Sequence, residues 1–161
     1  MECDLQSLPC ILTCPSIASD FDSCRRRCTG APESIHNRDL LPPMGHLSTH
    51  ALDTANGCPA AGMKVSLERI VGDAPQALGS WVLNADGRSD GGPLLDAAAM
   101  AVGRYRLTFE VAAYFRARGA VLPQPPFIDR VQLDFGIADA QGHYHVPLLA
   151  SPWSYSTYRG S

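Results

Sequence analysis

A chain of 161 residues with 45% hydrophobic and 18% charged residues is long enough to bury one proper core and is ordinary in composition for a globular domain. Its net charge of −3, with no basic stripe beyond Arg25-Arg26-Arg27, leaves no electrostatic footprint for nucleic acid. The longest apolar runs, such as residues 97–102, fall far short of a membrane span, so neither nucleic acid nor membrane is an expected partner.

The first 43 residues hold five of the six cysteines (Cys3, Cys10, Cys14, Cys24 and Cys28) among Pro9, Pro15 and Pro32, without hydrophobic periodicity. The spacings Cys10-x3-Cys14 and Cys24-x3-Cys28 lack the folded context of a metal knuckle, and an odd number of cysteines does not close a disulfide framework. Glu2 and Asp4 stand where a signal peptide carries basic residues. The segment 1–43 reads as a disordered or non-native leader, Met44 as a candidate translation start, and 44–161 as the folded domain.

Short alternating segments begin after Leu41-Pro42-Pro43. Leu47-Ser48-Thr49-His50-Ala51-Leu52-Asp53-Thr54 reads as a first strand with His50 inside it. Met63 to Arg69 alternates apolar and polar residues, the period of a half-buried strand. Turn signals follow at Asn84-Ala85-Asp86-Gly87 and Asp90-Gly91-Gly92-Pro93. The next alternation puts Tyr105, Leu107, Phe109 and Val111 on one face. Residues 112–118 predict a short helix with Ala112, Ala113 and Phe115 inward and Gly119 as its stop. Val131 to Ile137 alternates again, and His143-Tyr144-His145-Val146-Pro147-Leu148-Leu149 reads as the penultimate strand. A terminal stretch from Ser151 to Ser161 with Trp153, Tyr155, Tyr158 and Arg159 is too rich in aromatics and donors for a frayed end, and predicts a strand tied into a sheet. Seven or so short strands with one helix predict an all-β, two-sheet sandwich.

Three polar groups have no packing reason to sit in such a sandwich: His50, Arg88 after the Asp86-Gly87 turn, and His145, which shares a strand face with His143. Singly, each has an ordinary reading, as a satisfied strand histidine or a solvated turn flank. Together they make a chemistry. Two imidazoles exchange protons near neutral pH, and a guanidinium offers a planar fork of donors to carbonyl or anionic oxygens. The set fits hydrolysis of a polar, oxygen-rich small molecule. No G-x-S-x-G elbow, H-E-x-x-H pair or phosphate loop is present, and no cofactor is expected. A zinc site built from His50, His143 and His145 is the metal alternative.

The segment Leu47 to Ala60, then Asp86-Gly87-Arg88, then His143 to Leu149, and the terminal Tyr158-Arg159-Gly160-Ser161 closely resemble 5-hydroxyisourate hydrolase, the transthyretin-related enzyme of urate breakdown. The resemblance spans 47–161, with four separated motifs in the family's order. It implies a prealbumin (transthyretin)-like β-sandwich assembled as a homotetramer, with sites between dimers. It implies His50, Arg88 and His145 as catalytic residues, Tyr158, Arg159, Gly160 and Ser161 as substrate-binding residues that close the site, and His143 as a neighbour of the site. The implied substrate is 5-hydroxyisourate, with no metal and no cofactor. A transthyretin-like carrier without catalysis is the alternative, against which stand the histidines and the Tyr-Arg-Gly-Ser ending. Cytoplasm is the default location: Leu40-x5-His46-Leu47 has the spacing of a peroxisomal signal, but Asp39 occupies its basic position, and the chain does not end in Ser-Lys-Leu.

Overall fold

The computed structural model describes residues 45–160; the readings of the leader 1–43, of Met44 and of Ser161 fall outside that range. Within it, ten strands and one helix follow in chain order: β1 (His46–Ser48), β2 (Ala51–Asp53), β3 (Cys58–Pro59), β4 (Lys64–Val71), β5 (Ala74–Val82), β6 (Gly103–Phe109), α1 (Val111–Ala117), β7 (Val131–Ile137), β8 (His143–His145), β9 (Leu148–Ala150) and β10 (Tyr155–Thr157). None of the described helices is long and apolar enough to cross a membrane.

The three clean alternations become three neighbouring strands of one antiparallel sheet, in the order β5-β4-β6-β7. Period-two geometry turns Val65 and Leu67 of β4, Tyr105, Leu107 and Phe109 of β6, and Val131, Leu133 and Ile137 of β7 into the core. Each fully buried large side chain there contributes about 1.5–3 kcal/mol. The edge strand β5 carries no such signal in Ala74-Pro75-Gln76-Ala77-Leu78-Gly79-Ser80-Trp81-Val82. It is exposed on almost every residue, held by its ladder to β4 and broken by a register shift opposite Leu67 and Glu68. With neither face fully covered, nothing selects for alternation.

The opposite layer has the order β10-β9-β2-β3, extended by the pair β1-β8. The predicted first strand is therefore two strands, and His50 lies in the two-residue break between them rather than on a strand. Its neighbour is divided at the same level, so β8 is followed by β9 and β10 and is not the penultimate strand. Both pairings are parallel: Ser48 stands opposite His145, and Ala51 opposite Leu148. In the break, the Val146 and Leu148 N–H groups still donate to the Ser48 and His50 carbonyls, at 3.0 and 2.8 Å. Pro147 has no N–H to give. The Thr49 hydroxyl takes the Val146 carbonyl at 2.8 Å, and the Ala51 N–H leaves the ladder for the Gly87 carbonyl at 2.9 Å.

Helix α1 buries Val111, Ala112, Tyr114 and Phe115. Ala113, expected inside, is exposed, because the 3.6-residue period gives its place to Tyr114. Gly119, with φ +88°, ends the helix: its N–H reaches the Arg116 carbonyl and the Ala120 N–H the Phe115 carbonyl, both at 2.9 Å, as in a Schellman motif. The Tyr114 hydroxyl donates to Asp53 Oδ2 at 3.0 Å, and burial followed by this bond pushes its pKa up to about 12. Asp53 is 1% exposed and also accepts from the Ala55 and Asn56 N–H groups and from Asn56 Nδ2. A buried carboxylate with four donors is satisfied, and it pins α1 to the end of β2.

The asymmetry between breaking a bond and orphaning a partner gives a test. Asp53→Ala strips four donors of their acceptor and should cost about 3 kcal/mol in denaturant unfolding, whereas Tyr114→Phe leaves Asp53 with three donors and should cost about 1 kcal/mol.

Candidate functional site

The register His46↔His143 and Ser48↔His145 fixes the floor of the site. Across it the His46 and His143 rings lie 3.6 Å apart between centroids, tilted by 39°. One step further, Ser48 Oγ is 2.9 Å from His145 Nδ1. Arg88 arrives from the turn after β5. The turn is closed by Asn84, whose Oδ1 accepts from the Asp86 and Arg88 N–H groups at 2.9 and 3.0 Å. It is docked on the strand break by the bond from the Ala51 N–H to the Gly87 carbonyl. Glycine is required at 87 twice over: φ is +71°, and a Cβ there would lie 2.3 Å from the Ala51 carbonyl oxygen.

The result is a cavity of about 370 Å³ lined by His46, Ser48, Arg88, His143 and His145. A second, of about 240 Å³, shares His46, Ser48 and Arg88 with it and adds Thr49, Ser89, Gly92 and Pro93. A groove of about 600 Å³ beside α1 and β4 contains none of these residues.

The electrostatics tie the three predicted catalytic residues to one another. Burial first, then the positive charge of Arg88, holds the His50 imidazole below its ordinary pKa of 6.5, against the opposing pull of the Asp86 backbone and carboxylate. His145 is held down in the same direction by burial, then by Arg88, His50 and His143. Arg88 is thus the common neighbour of both imidazoles. Both influences favour the neutral ring, which can accept a proton, beside the Arg88 cation.

The terminal segment divides. The Gly160 N–H donates to the His145 carbonyl at 2.9 Å, and a Cβ at 160 would lie 2.7 Å from His145 Cδ2, so the backbone rests against the ring. Tyr158 and Arg159 line a different cavity, of about 460 Å³, along the free flanks of β7 and β10, where the Arg159 guanidinium lies 4.8 Å from the Tyr144 ring centre. Among the described residues no group of three or more histidine, cysteine, aspartate or glutamate side chains is disposed to hold a metal ion, and the three-histidine zinc reading has no support in this geometry.

Two residues of the site, His46 and Ser48, are absent from the sequence-based set. The signal for them was present: His46, Ser48 and His50 follow one another at period two, as do His143 and His145. What was missing was the pairing that sets the two series side by side.

The matching family model is that of the HIUase/transthyretin family, over residues 47–160. The chain is 55% identical over 117 residues to "5-hydroxyisourate hydrolase 2" of Rhizobium meliloti, an alignment covering 73% of this chain and 97% of the relative. Among solved structures it resembles Klebsiella pneumoniae 5-hydroxyisourate hydrolase, with a TM-score of 0.61 and 42% identity over 73% of this chain and all of the other. It also resembles sea bream transthyretin in complex with thyroxine, with a TM-score of 0.62 and 27% identity over 71% of this chain and 93% of the other.

A pH titration of the imidazoles followed by NMR checks the electrostatics. His50 and His145 should protonate with midpoints below 6.5, and Arg88→Ala should raise both midpoints, since a nearby cation disfavours the imidazolium. Unmoved midpoints in the variant would remove Arg88 as their shared neighbour.

Proposed function

The chain belongs to the HIUase/transthyretin family, and from that premise we propose that it hydrolyses 5-hydroxyisourate to 2-oxo-4-hydroxy-4-carboxy-5-ureidoimidazoline in purine catabolism. What supports the reading is a cavity lined by Arg88 and His145, with His50 in the adjoining strand break and electrostatically coupled to both, in a chain 55% identical to a protein named 5-hydroxyisourate hydrolase 2.

The reaction opens a six-membered ring at an amide-like C–N bond. A water oxygen bonds to the carbonyl carbon, the C–N bond breaks, and the proton lost by the water is made good on the departing nitrogen. His50 and His145, both held toward the neutral form, divide the proton transfer, a contribution of about 10²–10⁴-fold. Arg88 presents its donors to the ring oxygens and to the developing oxyanion, where one good donor is worth about 2.7–4 kcal/mol. Gly160, laid against His145, supports a closing role for that residue of the terminal segment, while Tyr158 and Arg159 face the other cavity. No step calls for a metal or cofactor.

The protein acts, in this reading, as a homotetramer with sites between dimers. Support comes from β7 and β10, which among the described residues each pair on one side only, and from the exposed Tyr155 and Tyr158, which line a cavity with Leu133, Asp134 and Phe135.

The decay of freshly generated 5-hydroxyisourate tests the function. His145→Asn and Arg88→Ala should each lower turnover by about 10²–10³-fold. Both variants should keep the tetrameric mass in light scattering and a near-native melting temperature. Wild-type turnover in either variant would end the assignment of that residue. A wild-type protein that binds the substrate without consuming it would instead be a transthyretin-like carrier.

A further inference from the structure

Ser48 meets the ring of His145 from the facing strand of a parallel pair, 97 residues away in sequence and 2.9 Å from Nδ1. The ring's opposite edge is fenced by the Gly160 backbone, which leaves no room for a Cβ against Cδ2. With Nδ1 taken up by Ser48 on one side and the ring confined on the other, proton exchange with the substrate or its water falls to Nε2.

A serine hydroxyl can either donate or accept, so the hydrogen bond alone permits two neutral tautomers. The chemistry chooses between them. A general base alternates between neutral imidazole and imidazolium, and the imidazolium must donate from Nδ1. Only the neutral tautomer that already donates from Nδ1 keeps the same hydrogen bond through the cycle, so that nothing reorganises when the proton arrives. We propose that Ser48 is a positioning residue: it accepts from Nδ1–H of His145 in both states, fixes the ring, and leaves Nε2 bare to take the proton of the attacking water. This rests on the hydrolase reading and makes His145, of the two imidazoles, the general base.

The test uses the full chain in two ways. In the ligand-free protein at neutral pH, long-range ¹H–¹⁵N correlation of the His145 ring should show a protonated Nδ1 and a bare Nε2. Ser48→Ala should shift the ring toward the Nε2–H form, and Ser48→Thr, which keeps the hydroxyl, should retain the wild-type spectrum. In the decay assay, Ser48→Ala should lower kcat by about 10- to 100-fold, the cost of a loosened catalytic group, with KM within about twofold. Ser48→Thr should stay within about threefold of wild type. Three results would overturn the proposal: a wild-type ring in the Nε2–H form, a Ser48→Ala spectrum identical to wild type, or a loss carried by KM with kcat unchanged, the mark of direct substrate contact. A wild-type protein inert toward 5-hydroxyisourate but with the expected spectra would sink the hydrolase reading and leave the hold of Ser48 on His145 standing.

Discussion

Between Ser48 and Ala51 on one strand, and between His145 and Leu148 on its parallel neighbour, the backbone ladder gives way at the same level. Pro147 has no N–H, the Thr49 hydroxyl occupies the Val146 carbonyl, and the Ala51 N–H is spent on Gly87. Each of these local facts is small, yet together they decide where the chemistry sits. The spent N–H draws the Asp86-Gly87-Arg88 turn onto the sheet. The paired strands set Ser48 beside His145. The break itself carries His50, whose ring lies beside Gly87. Every polar group of the site is thus positioned by a backbone hydrogen bond or a ladder register, both stiffer than a surface loop.

The consequence for charge follows directly. The backbone bonds of the turn place Arg88 beside both rings, and its charge opposes imidazolium at each position. Burial works in the same direction. On the proposed reading these few side chains suit the sandwich to hydrolysis; beneath them Leu47, Leu107 and Phe109 are wholly buried, and the family model and the likeness to solved relatives extend over that sandwich.

Much of this was legible in the sequence, for identifiable reasons. Strands β4, β6 and β7 are covered on one face only, so burial writes itself into alternating residues such as Tyr105, Leu107 and Phe109. Strand β5, exposed on nearly all its length, leaves no such trace. His50, Arg88 and His145 stood out by lacking any packing role, and the structure brings them within electrostatic reach of one another. The break at Thr49-His50 was not readable, because it arises from where the Ala51 N–H goes, a choice made by a turn 36 residues downstream. Ser48 escaped for the same kind of reason: a serine in a strand has no distinguishing chemistry until its cross-strand partner is known.

The pairing of β1 with β8 also bears on how the protein comes to be active. Its contacts join residues 97 positions apart, and bringing such distant segments together costs loop-closure entropy that is recovered only once the ladder forms. The hairpin of β4 and β5, by contrast, needs only a turn at Gly72-Asp73 and can form early. The groups that β1 and β8 set side by side therefore depend on a pairing far costlier in loop closure than a hairpin, and anything that weakens that ladder reaches the site before it reaches the hairpin.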